Sequence, residues 1–175
     1  MRKEKLDQAV KAFRDAVVEQ SKSNLNKLKK NATGELYNSI KGEIIGSNDE
    51  VNVVFKMMLY GMFQDQGVDG KRVKHGSPFS FKNKMPPPSA LDKWLVIRNF
   101  APRDKQGRFM TRKQIQFMMA RSIFNKGIKR SLFFTEPYNN AMKEAGRTFK
   151  NALSKDMSIY MEYIIGRSNR KRKQK

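Results

Sequence analysis

Reactive side chains are sparse in this chain, and their spacing builds no reaction centre. There is no cysteine, so thiolate nucleophiles, disulfides and cysteine-based zinc sites are excluded. The single histidine, His75, stands in a Gly- and Lys-rich stretch. A lone loop imidazole is expected to be solvated, because a zinc shell completed by carboxylates alone is a poor donor set. Asp65, Gly67, Asp69 and Gly70 begin like a calcium loop. The third and twelfth loop positions, however, are Gly67 and Gly76, where a ligand and a bidentate Glu are needed. Turn composition accounts for that run. The 16 Asp+Glu are scattered, without the cluster that two-metal nuclease chemistry requires. No Gly-rich phosphate loop and no dinucleotide fingerprint occurs. The expectation is a protein that is not an enzyme and takes no metal or cofactor.

Charge is the stronger signal. Lys+Arg number 37 and the formal net charge is +21, whereas solubility needs only ~2–8. Such an excess is self-repelling in a compact state unless a polyanion or an acidic neighbour offsets it. Nucleic acid is the first candidate partner and an anionic membrane surface the second. The cations gather in three places. Lys71, Arg72, Lys74, Lys82 and Lys84 lie in a long segment, 68–88. Arg103, Lys105 and Arg108 lie in a second loop, 101–110. Arg170, Lys171, Arg172 and Lys173 lie in a terminal block, 167–175. These residues are the candidate contacts to a DNA channel or to protein partners. No aromatic residue interleaves with the terminal block, so stacking on single strands is not expected. Eleven methionines suit adaptable contacts between subunits.

The elements that must position these cations follow from periodicity. Leu6, Val10, Phe13, Val17, Leu25 and Leu28 predict a helix over 3–30, broken by Asn31–Gly34. Residues 35–46 and 51–57 predict an antiparallel hairpin, with Leu36 and Ile40 starting its buried face and a turn at Gly46–Asp49. Met58–Gln66 reads as a short helix or turn. Pro86–Pro88 favours an extended path. Ser89 with Asp92, and Thr111 with Gln114, resemble capping boxes opening helices over 90–100 and 111–125, the second ended by Gly127. Ser131–Phe134 reads as a short strand. Thr135 and Pro137 open a last helix whose buried face carries Tyr138, Ala141, Met142, Ala145, Phe149, Ala152, Leu153 and Tyr160. The block from Arg167 has no apolar residue and is expected to be disordered. The sum is one α+β domain, 1–166. It holds a long N-terminal helix, a small antiparallel sheet and flanking helices, including a long C-terminal one. The amphipathic N-terminus is unlike a secretory signal, and no apolar run approaches ~18 residues, so no membrane is expected.

Three segments, in order, resemble a known family. They are Thr33-Gly34-Glu35-Leu36-Tyr37-Asn38-Ser39-Ile40, then Tyr60-Gly61-Met62-Phe63-Gln64-Asp65-Gln66-Gly67, then Gly127-Ile128-Lys129-Arg130-Ser131-Leu132-Phe133-Phe134. Together they look like the tail-completion or head–tail joining (neck) proteins of tailed bacteriophages, of the minor tail protein type. The resemblance spans 3–67 and 111–160. Gly61 stands where that pattern has Ala, and Lys71–Met110 exceeds its compact core. The resemblance implies a scaffold built on Thr33, Gly34, Leu36, Ser39, Ile40, Tyr60, Gly67, Gly127, Ile128, Phe133 and Phe134. It also implies a homo-oligomeric ring between a portal or head-completion adaptor and a tail tube or tail terminator, with viral DNA passing through the lumen. Such a protein resides in the virion neck, and in host cytoplasm during assembly. The rival from charge alone is a free basic nucleic-acid-binding protein.

Overall fold

The computed structural model describes residues 4–30, 32–46 and 50–172. Its order is α1 (Glu4–Lys27), α2 (Glu35–Ser39), β1 (Lys41–Gly46), β2 (Val51–Lys56), α3 (Tyr60–Gln66) and β3 (Val68–Asp69). A 3-10 turn (Pro88–Leu91) and α4 (Asp92–Ile97) follow, then α5 (Arg112–Lys126), β4 (Gly127–Ile128) and α6 (Thr135–Arg172). The architecture is α+β, with a long first helix, a small antiparallel sheet and a long last helix.

The frame is the pairing of α1 with α6. The two run antiparallel: the Asn24 side chain donates to the Phe133 carbonyl near one end, and Phe13 meets Phe149 at 5.8 Å partway along. At the other end Asp156 accepts the backbone N–H groups of Lys5 (3.0 Å) and Leu6 (2.9 Å). The first N–H groups of a helix have no partner within it, and their partial positive charge favours an anion. A buried carboxylate from the last helix therefore closes the first. Val10, Val17 and Leu25 are buried along α1, as its period requires.

The β1–β2 hairpin lies on this frame, with Ile44 opposite Val53 and Gly42 opposite Phe55. Phe55 reaches Phe13 (6.2 Å), Phe134 (5.5 Å) and Tyr138 (6.1 Å) in edge-on contacts. Such ring pairs add ~0.5–1.5 kcal/mol each beyond area burial. A second, aliphatic cluster joins Leu25, Leu36, Ile40 and Phe133.

Several expectations are corrected. Residues 35–39 are a helical turn and the strand starts only at Lys41. Leu36 and Ile40 are buried, but as i, i+4 neighbours over a helical turn, a spacing that fits either period. The turn expected at Gly46–Asp49 lies largely outside the described residues. Ser89 caps nothing: Pro88 opens a 3-10 turn there and α4 is confined to 92–97. Asp92 instead pairs with Arg112 and accepts from Gln116. The strand expected at 131–134 does not form. The pairing segment is Gly127–Ile128, against Val68–Asp69. Thr111 and Gln114 do form a reciprocal capping box. The last helix runs to Arg172, six residues into the basic terminal block. Lys and Arg are good helix formers and suit the negative C-terminal end. Met142, Leu153 and Tyr160, expected on the buried face, are exposed.

Candidate nucleic-acid and partner interface

Two kinds of site emerge: a buried joint made by the three motif segments, and cationic loops displayed around it.

The joint centres on Asp65, which is buried. Its carboxylate accepts from the backbone N–H of Phe134 (2.8 Å) and Thr135 (3.2 Å), from the Thr135 hydroxyl, and from the Gln66 side-chain amide (2.6 Å). Its backbone carbonyl accepts from Ser131 and Leu132 N–H. Asp65 on α3 is thus the N-terminal cap of α6, contributed from 70 residues away. Lys30 is half-buried beside it; desolvation lowers the ammonium pKa and the Asp65 charge opposes that shift. Phe133 is fully buried against Leu36 and Ile40, with Phe134 packed alongside. Ser39 Oγ donates to the Leu36 carbonyl and accepts from Met58 N–H. Thr33 Oγ1 accepts from Glu35 N–H at 3.3 Å, beside Gly34 at φ 73°.

Gly67 and Gly127 let two backbones cross. Both hold positive φ (72° and 76°), which glycine adopts at no steric cost. A Cβ on Gly67 would come 2.5 Å from the Ile128 carbonyl oxygen, and one on Gly127 would come 2.2 Å from that of Val68. Tyr60 is exposed, at 38%, and so is Thr33.

The segment 68–88 is not a loose loop. Lys71 N–H donates to the Phe124 carbonyl, and Arg72 and Val73 N–H to that of Asn125. The Nε2–H tautomer of His75 donates to the Lys126 carbonyl at 2.8 Å. The chain therefore satisfies the last carbonyls of α5, groups a helix cannot satisfy itself. Asp69 organises the bend by accepting from His75 N–H (2.6 Å) and Ser77 N–H (3.2 Å). Those two bonds, His75 first, hold its carboxyl below the ordinary carboxylate range. Phe79 packs on Phe63 and Phe81 on Phe124. Lys71, Arg72, Lys74, Lys82 and Lys84 are exposed on this anchored frame, with Lys71 Nζ 5.8 Å from the Phe124 ring centre.

The segment 101–110 is a closed turn. Asp104 accepts from Gln106 and Arg108 N–H (2.9 Å each) and from the Arg108 guanidinium (3.1 Å). Arg103 stacks 3.9 Å over the Phe109 ring and donates to the Gly107 carbonyl. Arg103 and Arg108 thus have partners inside the turn, while Lys105 is exposed. Lys71, Arg72 and Lys74 lie by the C-terminal end of α5 and the 101–110 turn precedes its N-terminal end; α5 has 15 residues, so these two groups stand about 22 Å apart along its axis. They are separate displays, not one patch. Arg170, Lys171 and Arg172 lie on α6, and Lys173 lies outside the described residues.

Sequence reasoning missed four organising carboxylates: Asp65, Asp69, Asp104 and Asp156. A signal existed for Asp104, as Asp two and four residues before backbone it can bond is a turn signature. No local signal marks Asp65 or Asp156, whose partners are remote. Among the described residues no group of three acidic or histidine side chains is placed to hold a metal, and no helix is long and apolar enough to cross a membrane. No family model, curated protein or solved structure matches the chain.

Proposed function

We propose that this chain is a virion structural protein of a tailed bacteriophage, forming an oligomeric ring at the head–tail joint. It links a portal or head-completion adaptor to a tail tube or tail terminator, and viral DNA passes through its lumen. It works by assembly, with no catalytic step and no cofactor. The observation that carries this reading is the joint around Asp65. The three segments that resemble the neck family meet there, and their residues cap, cross or pack one another.

The anchored cationic loops support the same reading. Passing duplex needs cationic neighbours for its phosphates and no base-specific grip. Exposed Lys side chains on fixed backbones meet both demands.

Imaging of purified particles by electron microscopy, with mass spectrometry of their proteins, tests the proposal. The expected result is a closed ring of this chain at the neck. Its absence from mature virions overturns the reading. The rival binding protein predicts tight duplex binding by a monomer or dimer with a steep salt dependence. The ring predicts weak binding by the isolated chain.

A further inference from the structure

The last helix outruns the helix it packs on. Asp156 closes the N-terminus of α1, and α6 continues to Arg172. That overhang is about 24 Å long at ~1.5 Å per residue. Its first part is strongly apolar: Met157, Ile159, Tyr160, Met161, Tyr163, Ile164 and Ile165 are all exposed, between 42% and 57%.

The distribution around the helix is informative. Ser158, Glu162 and Gly166 share one narrow stripe, four residues apart. At ~100° per residue, the apolar residues fill the other ~240°. A helix lying on one surface needs an apolar stripe of only ~100° or slightly more, so this one is shaped for contacts on two sides. One side continues the line that α1 covers further back. Ala145 and Ala152 lead by sevens to Ile159, and Phe149 and Asp156 lead by sevens to Tyr163. Ile159 and Tyr163 therefore prolong a helix-binding seat past the end of its occupant. The other side, with Met157, Met161, Ile164 and Ile165, faces away from α1.

We infer that the overhang of α6 is the segment through which copies of this chain join, each overhang lying between those of two neighbours. A second copy supplies what the arc demands: an apolar helix on either side, with no further component. The area agrees with a conditional contact. The exposed apolar side chains offer on the order of 600 Å² per copy, so on the order of 300 Å² to each of two neighbours, against ~800 Å² per partner in a standard interface. A pair is therefore weak, and closure of a ring, which holds each copy on two sides, adds the missing affinity through effective concentration.

Charge sets the condition. Arg167 is exposed on the overhang and the chain carries a net charge of +21, so neighbouring overhangs bring like charges together. Their repulsion is relieved by salt screening or by duplex phosphates. Assembly is thus promoted by a polyanion. This deepens the ring reading by naming its joining segment, and rests on it.

The test is sedimentation velocity on the full chain, at low salt, at raised salt, and at low salt with a short DNA duplex. Mass is expected to rise several-fold in the last two conditions. The exposed pair Met161→Glu with Ile164→Glu is expected to raise the concentration for assembly at least about a hundredfold, with circular dichroism and melting temperature kept. Ser158→Glu, on the polar stripe, is expected to assemble like the parent. A parent that stays monomeric throughout, or a double variant that assembles normally, overturns the inference. Co-sedimentation with phosphatidylserine vesicles without self-association also overturns it, in favour of a membrane surface. Normal incorporation of the double variant into a virion ring sinks this inference alone. Assembly through α6 by a protein missing from virions sinks the neck reading alone.

Discussion

The joint at Asp65 and the bend at Asp69 use the same chemistry with different weight. In each, one carboxylate oxygen accepts two backbone N–H groups: Phe134 and Thr135 in the first, His75 and Ser77 in the second. Asp65 is buried and Asp69 only partly so. A buried acceptor that loses its role leaves orphaned donors with no water to replace it, whereas an exposed one is substituted by solvent. The first is therefore structural for the whole molecule. The second shapes one loop, which can carry cations because its failure costs little elsewhere.

The largest effect that would sharpen this contrast lies at the joint's apolar partner. Phe133→Ala removes a fully buried ring and is expected to cost about 3–5 kcal/mol, read by urea denaturation. Asp65→Ala follows at about 2–4 kcal/mol, combining a lost helix cap with a half-buried Lys30 left beside unsatisfied donors. A cost near zero would mean that solvent reaches the joint and would dissolve the distinction.

Asp69→Asn comes next, and its signature is pH dependence. The carboxyl is held below its ordinary range in the folded state, so the folded protein favours the charged form. Its stabilisation is present above the unfolded pKa of ~3.9 and is lost as pH falls through the folded value. Parent and variant should therefore differ in melting temperature at neutral pH and converge in acid. Equal spacing at every pH would break the comparison from the other side.

The smallest effect on stability is expected for Lys82→Ala with Lys84→Ala, both exposed: within about 0.5 kcal/mol. Duplex binding should nonetheless change. If both side chains meet phosphates in the assembled ring, the log–log salt slope falls by about 1.8. An unchanged slope in assembled protein would remove these two lysines from the DNA surface.

Local chemistry was legible where its partners are local. The Val10–Val17–Leu25 stripe and the Thr111–Gln114 box each lie within one element, and each forms. Leu36 and Ile40 were ambiguous because a spacing of four serves a strand face and a helical turn alike. Ser89 was misleading because a preceding proline imposed a 3-10 turn. The lysines of the two cationic loops are exposed, on backbones whose anchoring to α5 and to Asp104 no local pattern announces. Arg103 and Arg108 turned out to be engaged with Phe109 and Asp104. Asp65 and Asp156 look like ordinary helix-surface acids until the fold brings their partners to them.

The clasp between Asp156 and the first turn of α1 also has a consequence in time. Its two sides are 150 residues apart in the chain. A ribosome adding ~5–20 residues per second leaves the first turn of α1 without its Asp156 clasp for roughly 8–30 s. The long closure also slows the search once synthesis ends. During that interval the nascent first helix is an unguarded greasy strip, and holdase chaperones should crosslink to it more readily than to any later helix.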